Sequence, residues 1–161
     1  MGKKNAITLI IVIILGLCTL YITNIYQTAM GEKSHGQAEA ISVAKEKGGM
    51  STVKFAETFN GLTQYQVVSG VNSKNEPILV WVHSDKKEKL IIRKQTEGIS
   101  KDKAIAVSEK QSKPRKLISA QLGVAENIPC WEIKYIDQYD RYTYEYVDFV
   151  KGNIIKQIAI K

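Results

Sequence analysis

The chain has 161 residues, is 44% hydrophobic and 24% charged, and carries a formal charge of +7, a balance that excludes the low hydrophobicity and high net charge of a disordered polypeptide. Its only two cysteines, Cys18 and Cys130, exclude a disulfide-stapled scaffold. The basic residues are spread rather than clustered, so no nucleic acid partner is expected, while attraction to anionic lipid headgroups or anionic envelope polymers stays open.

In chain order, the first feature is a charge-free stretch from Asn5 to Gly31, bracketed by Lys3 and Lys4 before it and Glu32 and Lys33 after it. Twelve of the twenty residues from Ala6 to Ile25 are Ile, Leu or Val. As a helix rising ~1.5 Å per residue they match the roughly 30 Å hydrocarbon core of a bilayer. A cleavable signal would have a shorter apolar core and a small-x-small site, whereas this run continues through Tyr21, Ile22 and Ile25. Leu17, just before Cys18, is too large for the position that lipoprotein processing reads. A buried helix of a soluble domain would carry a polar face, which this one lacks. The reading is a retained single-pass anchor over 6–26, with residues 1–5 in the cytoplasm by the positive-inside tendency and the rest outside, at the cell membrane. Five residues are too few for a cytoplasmic output domain. Beyond Tyr26 the remaining 21 basic and 16 acidic residues give a mild +5.

After the anchor, Ala38, Ile41, Ala44 and Lys45 recur at helical spacing and stop at Gly48-Gly49. Four short apolar segments follow, Val53 to Phe59, Tyr65 to Ser69, Ile78 to Val82 and Leu90 to Ile92, and the middle two read as a hairpin. After Gly98 the order restarts. Ser100 is placed to cap a second helix through Ala104, Ile105 and Val107 that ends near Pro114, with Asp102 suiting its first turn. Strands are expected at Lys116 to Gly123, Cys130 to Ile136, Arg141 to Val150 and Ile154 to Ile160. Cys130 reads as a small buried hydrophobe.

Setting Ala40-Ile41 on Ala104-Ile105 gives an offset of 64, and Tyr65 on Trp131 gives 66, so two copies of one unit are implied, at 27–98 and 99–161. The fold class is α+β: an N-terminal transmembrane helix followed by two tandem modules, each a helix covering one apolar face of about four antiparallel strands. Modules this small are marginal alone, so the two are expected to pack as a rigid pair. In the second copy Trp131, Ile133 and Tyr135 alternate with Glu132 and Lys134, and Tyr142, Tyr144 and Tyr146 with Thr143 and Glu145. The expectation is one aromatic face, with Trp131, Tyr135, Tyr144 and Tyr146 filling that module's core. Asp137, Asp140, Glu145 and Asp148 are expected to be solvated.

Glu97-Gly98-Ile99-Ser100 leading into Asp102-Lys103-Ala104, Trp131-Glu132-Ile133-x-Tyr135, and Tyr146-Val147-Asp148-Phe149 with Gly152 and Ile154 behind it resemble the PepSY-type repeat of cystatin-like fold. With Val80-Trp81-Val82 followed by Asp85-Lys86-Lys87, the whole chain resembles the TseB/YpmB-like proteins of Gram-positive bacteria. The resemblance implies tandem cystatin-like modules and a regulator of cell-wall elongation acting on a class B penicillin-binding protein at the outer membrane face. It brings no catalytic or ligand residues.

No catalytic, cofactor-binding or metal site is expected. His35 and His83 form no pair at metal-ligand spacing. His83-Ser84-Asp85 cannot act as a relay, because adjacent side chains on an extended strand point to opposite faces. Phosphate-loop, zinc-protease and serine-nucleophile motifs are missing from the sequence. Eight tyrosines and two tryptophans against three phenylalanines favour contact surfaces, and Trp81, His83, Tyr139 and Tyr142 are the candidate partner contacts. A free sheet edge offers a second route. Two alternatives stand beside the regulator: a PepSY-type peptidase inhibitor or chaperone, and a binder of anionic envelope polymers.

Overall fold

The computed structural model describes residues 2–85 and 88–161, with the side chains of 3–11 and 24–34 outside the description. Lys86 and Lys87, part of the resemblance, and the charges bracketing the apolar run at Lys3, Lys4, Glu32 and Lys33 therefore lie outside the described residues or side chains.

The chain divides into two compact units, 1–36 and 37–161. The first is helical and belongs to α1, Lys3–Glu46. Among the described residues no helix is long and apolar enough to cross a membrane; of the expected anchor at 6–26, the side chains described are those of 12–23. Within that stretch Val12, Ile13, Ile14, Leu15, Leu17, Leu20 and Ile22 are all exposed. The Thr19 and Thr23 hydroxyls donate back to the Leu15 and Thr19 carbonyls, both at 2.8 Å, so these polar groups are satisfied inside the helix.

In the second unit the end of α1 is followed by β1 (Met50–Asn60), β2 (Gln64–Asn72), β3 (Pro77–His83), β4 (Ile91–Lys94) and a 3-10 turn at Gln95–Glu97. Next come α2 (Lys101–Ser112), β5 (Lys116–Ala125), β6 (Ile128–Ile136), β7 (Tyr142–Asp148) and β8 (Ile154–Ile160). The strands form two four-stranded antiparallel sheets in sequence order, β1 to β4 and β5 to β8. Ser100 caps α2, its side chain accepting from the Lys103 amide at 3.2 Å, and Lys113 ends the helix in a left-handed conformation just before Pro114.

The expectation that each sheet has one apolar face needs correction, because both faces of each sheet are covered. Ala40 and Ala44 of α1 pack with Met50, Val68, Ile78 and Val80 on one side of the first sheet. Ala104 of α2 packs with Ala120, Ile133, Tyr135 and Val147 on one side of the second. The opposite faces meet in a shared core, where Phe59, Tyr65, Val67, Leu79 and Trp81 join Leu122, Val124, Cys130, Tyr146 and Phe149. The order of layers is helix, sheet, sheet, helix. This explains why Ile78 to Val82 reads as an unbroken apolar run instead of alternating, as strands buried on both sides do. The modules are thus joined through their sheets. Two glycines permit the close approach: a Cβ on Gly123 would run into the Phe59 ring, and one on Gly98 into the Phe149 ring.

Candidate interaction surface

Residue facing in the second module departs from the expectation, and the cause is strand register. A five-residue loop joins β6 to β7 and pairs Ile133 with Glu145, Lys134 with Tyr144 and Tyr135 with Thr143. Ile133 and Tyr135 therefore share the α2 side with Thr143 and Glu145, whereas Tyr142, Tyr144 and Tyr146 point the other way, beside Ile136, Lys134 and Glu132. Tyr135 fills the module's own core, but Tyr146 and Tyr144 belong to the core shared between the sheets.

Register also buries acids that were expected to be solvated. Glu145 is 0% exposed. Its Oε2 accepts from Ser112 Oγ, from Tyr135 Oη at 3.1 Å and from Gln157 Nε2 at 3.1 Å, while among the described residues its Oε1 has no partner. Burial first, and then the Glu145 charge, push the Tyr135 phenol above its ordinary range, partly offset by the Ser112 and Gln157 hydrogen bonds. Asp137 is buried and accepts from the Tyr139 amide at 2.8 Å and from the Arg141 amide, Nε and Nη2 at 3.0, 2.8 and 2.8 Å. Burial alone would raise its pKa, but the Arg141 and Tyr139 hydrogen bonds together outweigh it and hold the carboxyl below its ordinary value. Asp148 is buried and accepts from the Val150 and Lys151 amides at 2.7 and 2.8 Å, closing the turn before β8. Asp140 alone of the four is solvated, paired with Arg115.

The four candidate contacts separate. Trp81 is fully buried against Phe149, with ring centroids 5.6 Å apart at 70°; it belongs to the core and not to the surface, because β3 is central in its sheet and covered on both faces. His83 is half-buried, packs edge-on to Tyr65 at 4.9 Å, and accepts from the Asp85 amide through Nδ1 at 2.7 Å. The His83 to Asp85 segment is a turn. Tyr139 is 79% exposed, under the Arg141 guanidinium at 5.2 Å, and Tyr142 is 53% exposed with Lys134 Nζ 5.7 Å from its ring. Tyr139 and Tyr142 lie at one end of the second sheet and His83 lies on the first.

Sequence reasoning missed a cavity at the opposite end of the second sheet from Tyr139 and Tyr142. Leu62, 89% exposed at the tip of the β1–β2 turn, overhangs this cavity of about 180 Å³ lined by Tyr65, Val124, Tyr146, Lys156 and Ile158. Lys156 pairs with Glu126 at 3.4 Å at its rim. Burial, then the Glu132 charge, push the Tyr146 phenol well above its ordinary range, so it stays protonated. An apolar residue between Asn60-Gly61 and Thr63, where a turn would ordinarily be polar, was the available signal. Cys130 is fully buried, and burial followed by the Glu132 charge pushes its thiol up to about 12, which leaves it a hydrophobe without nucleophilic character. Among the described residues no His, Cys, Asp and Glu cluster could hold a metal ion.

The fold and surface therefore define two sheet modules with a shared core and an apolar-aromatic face. Residues 39–83 match the cell wall elongation regulator TseB-like domain. Over 160 residues, covering 99% of both chains, the sequence is 36% identical to a Bacillus subtilis (strain 168) protein described as "Probable cell wall elongation regulator TseB". The solved structure of the YpmB protein from Bacillus subtilis is similar, with a TM-score of 0.75 at 35% identity over 78% of this chain and 98% of that one. The chain belongs to the TseB-like family of cell wall elongation regulators, a family of regulators and not of enzymes.

Proposed function

We propose that this protein is a single-pass, extracytoplasmic regulator of cell-wall elongation that acts by direct contact with a class B penicillin-binding protein. Residues 1–5 would lie inside, 6–26 would form the anchor, and the modules at 27–98 and 99–161 would stand outside. The observation that carries the reading is the 36% identity to a cell wall elongation regulator along 99% of both chains, apolar run included. The exposed apolar residues of 12–23 support the anchor, and the exposed Tyr139 and Tyr142 at one end of the second sheet support a contact role. Tethering both proteins to one membrane raises their effective concentration, so a modest contact area suffices.

The test is an in-cell crosslinking pulldown of the full-length protein beside an anchor-swapped version. Recovery of one class B penicillin-binding protein with both is the expected result. Recovery of proteases or anionic polymer in its place would overturn the reading.

A further inference from the structure

We propose that the outer edge of β8 is a strand-addition site for an extended, carboxylate-bearing segment of the partner protein; this rests on the penicillin-binding protein reading above. The two sheets have four edge strands, β1, β4, β5 and β8. β4 has only four residues. The other three carry their register irregularities toward their starts and then pair without interruption, β1 from Phe55 to Asn60, β5 from Ser119 to Ala125 and β8 from Lys156 to Ile160. What singles out β8 is the row of side chains beside it and the depression at each end of its regular stretch. Unpaired edges with apolar side chains template added strands unless something blunts them.

The side chains along this edge define the occupant. On the face turned away from α2 the rows run Glu132–Tyr146–Lys156, Lys134–Tyr144–Ile158 and Ile136–Tyr142–Ile160. Exposure increases along them, from buried Tyr146 to Tyr142 and Ile160, both about half exposed. Each end of the regular stretch has a depression: the apolar cavity at Tyr65, Tyr146 and Ile158, and a shallow one of about 490 Å³ lined by Tyr139, Asp140, Arg141 and Lys161. Five residues of strand span roughly 17 Å, so one short extended segment reaches both. The net charge along the path is positive. Lys134 lies 5.0 Å from the centre of the Tyr144 ring and Lys161 lines the far depression, while the acids there are already engaged: Glu126 pairs with Lys156, Asp140 pairs with Arg115, and Glu132 is buried and accepts from Gln121 Nε2 at 2.9 Å. The complementary segment places an apolar side chain in the cavity, packs another beside Ile160, and from the position beside Ile158, in the row of Lys134, directs a carboxylate toward Lys134, with a second at Lys161.

Full-length protein carrying a benzophenone amino acid at Ile160, or at Phe55 on β1 as the edge control, is irradiated in growing cells. The expected result is crosslinking of the class B penicillin-binding protein from position 160 with about tenfold higher yield than from position 55, mapped to an acidic extended segment. Adding Lys134→Glu to the position-160 protein lowers that yield by a similar factor. Recovery of the enzyme in the wild-type pulldown, with no preference for position 160 or no effect of Lys134→Glu, overturns the strand site and leaves the proposed function standing. No recovery of the enzyme in any form overturns both, and polymer captured at position 160 overturns the protein occupant.

Discussion

The helix-facing cores of the two modules occupy equivalent space and are built from different chemistry. In the first, Ala40 and Ala44 pack on Met50, Val68, Ile78 and Val80. In the second, Ala104 and Ser108 take the two alanine positions 64 residues further on, and Thr143 and Glu145 are buried among the apolar side chains. One half is held by burial alone. The other adds a hydrogen-bonded carboxylate, which stabilises only while every neighbour keeps its partner, since an orphaned buried group costs its full desolvation. The lesson is that a repeat conserves where the core lies while its polar content can differ.

Three substitutions test that contrast, each read by thermal unfolding of the full chain in detergent. The largest effect is expected from Trp81→Ala in the core common to both modules, which should cost about 3–5 kcal/mol and lower the stability of both sheets together. Unfolding of the first sheet alone would mean the modules are energetically independent. Glu145→Ala should cost about 2–3 kcal/mol by leaving the Ser112 and Tyr135 hydroxyl protons without their acceptor, while Gln157 keeps its bond to the Tyr135 oxygen; a neutral result would make the second core as indifferent to polar content as the first. Ser108→Ala runs the other way. Among the described residues the Ser108 hydroxyl is buried without a partner, so converting it to the residue found at Ala44 should raise stability by about 1 kcal/mol.

Strand positions were legible because turn residues punctuate them: Asn60-Gly61, the 71–76 segment and Pro114 bound elements close to where they occur. The repeat was legible for the same reason. Which way the β7 tyrosines face was not, since that depends on whether the β6–β7 loop is odd or even in length, and Asp137 to Arg141 looks polar under any count. Burial of Glu145 followed from that same parity. Trp81 was misplaced because a tryptophan beside a polar loop looks like a contact residue until a second sheet is known to cover it. The cavity under Leu62 joins residues distant in sequence, which no local pattern reports.

The shared core also has a consequence in time. Phe149, the ring against which Trp81 packs, is made 68 residues after Trp81. At roughly 5–20 residues per second the ribosome takes roughly 3 to 14 s to make that stretch. Until then the nascent first module shows Phe59, Tyr65 and Trp81 to its surroundings, a sticky surface that chaperones would recognise and that the rest of the chain must arrive to hide.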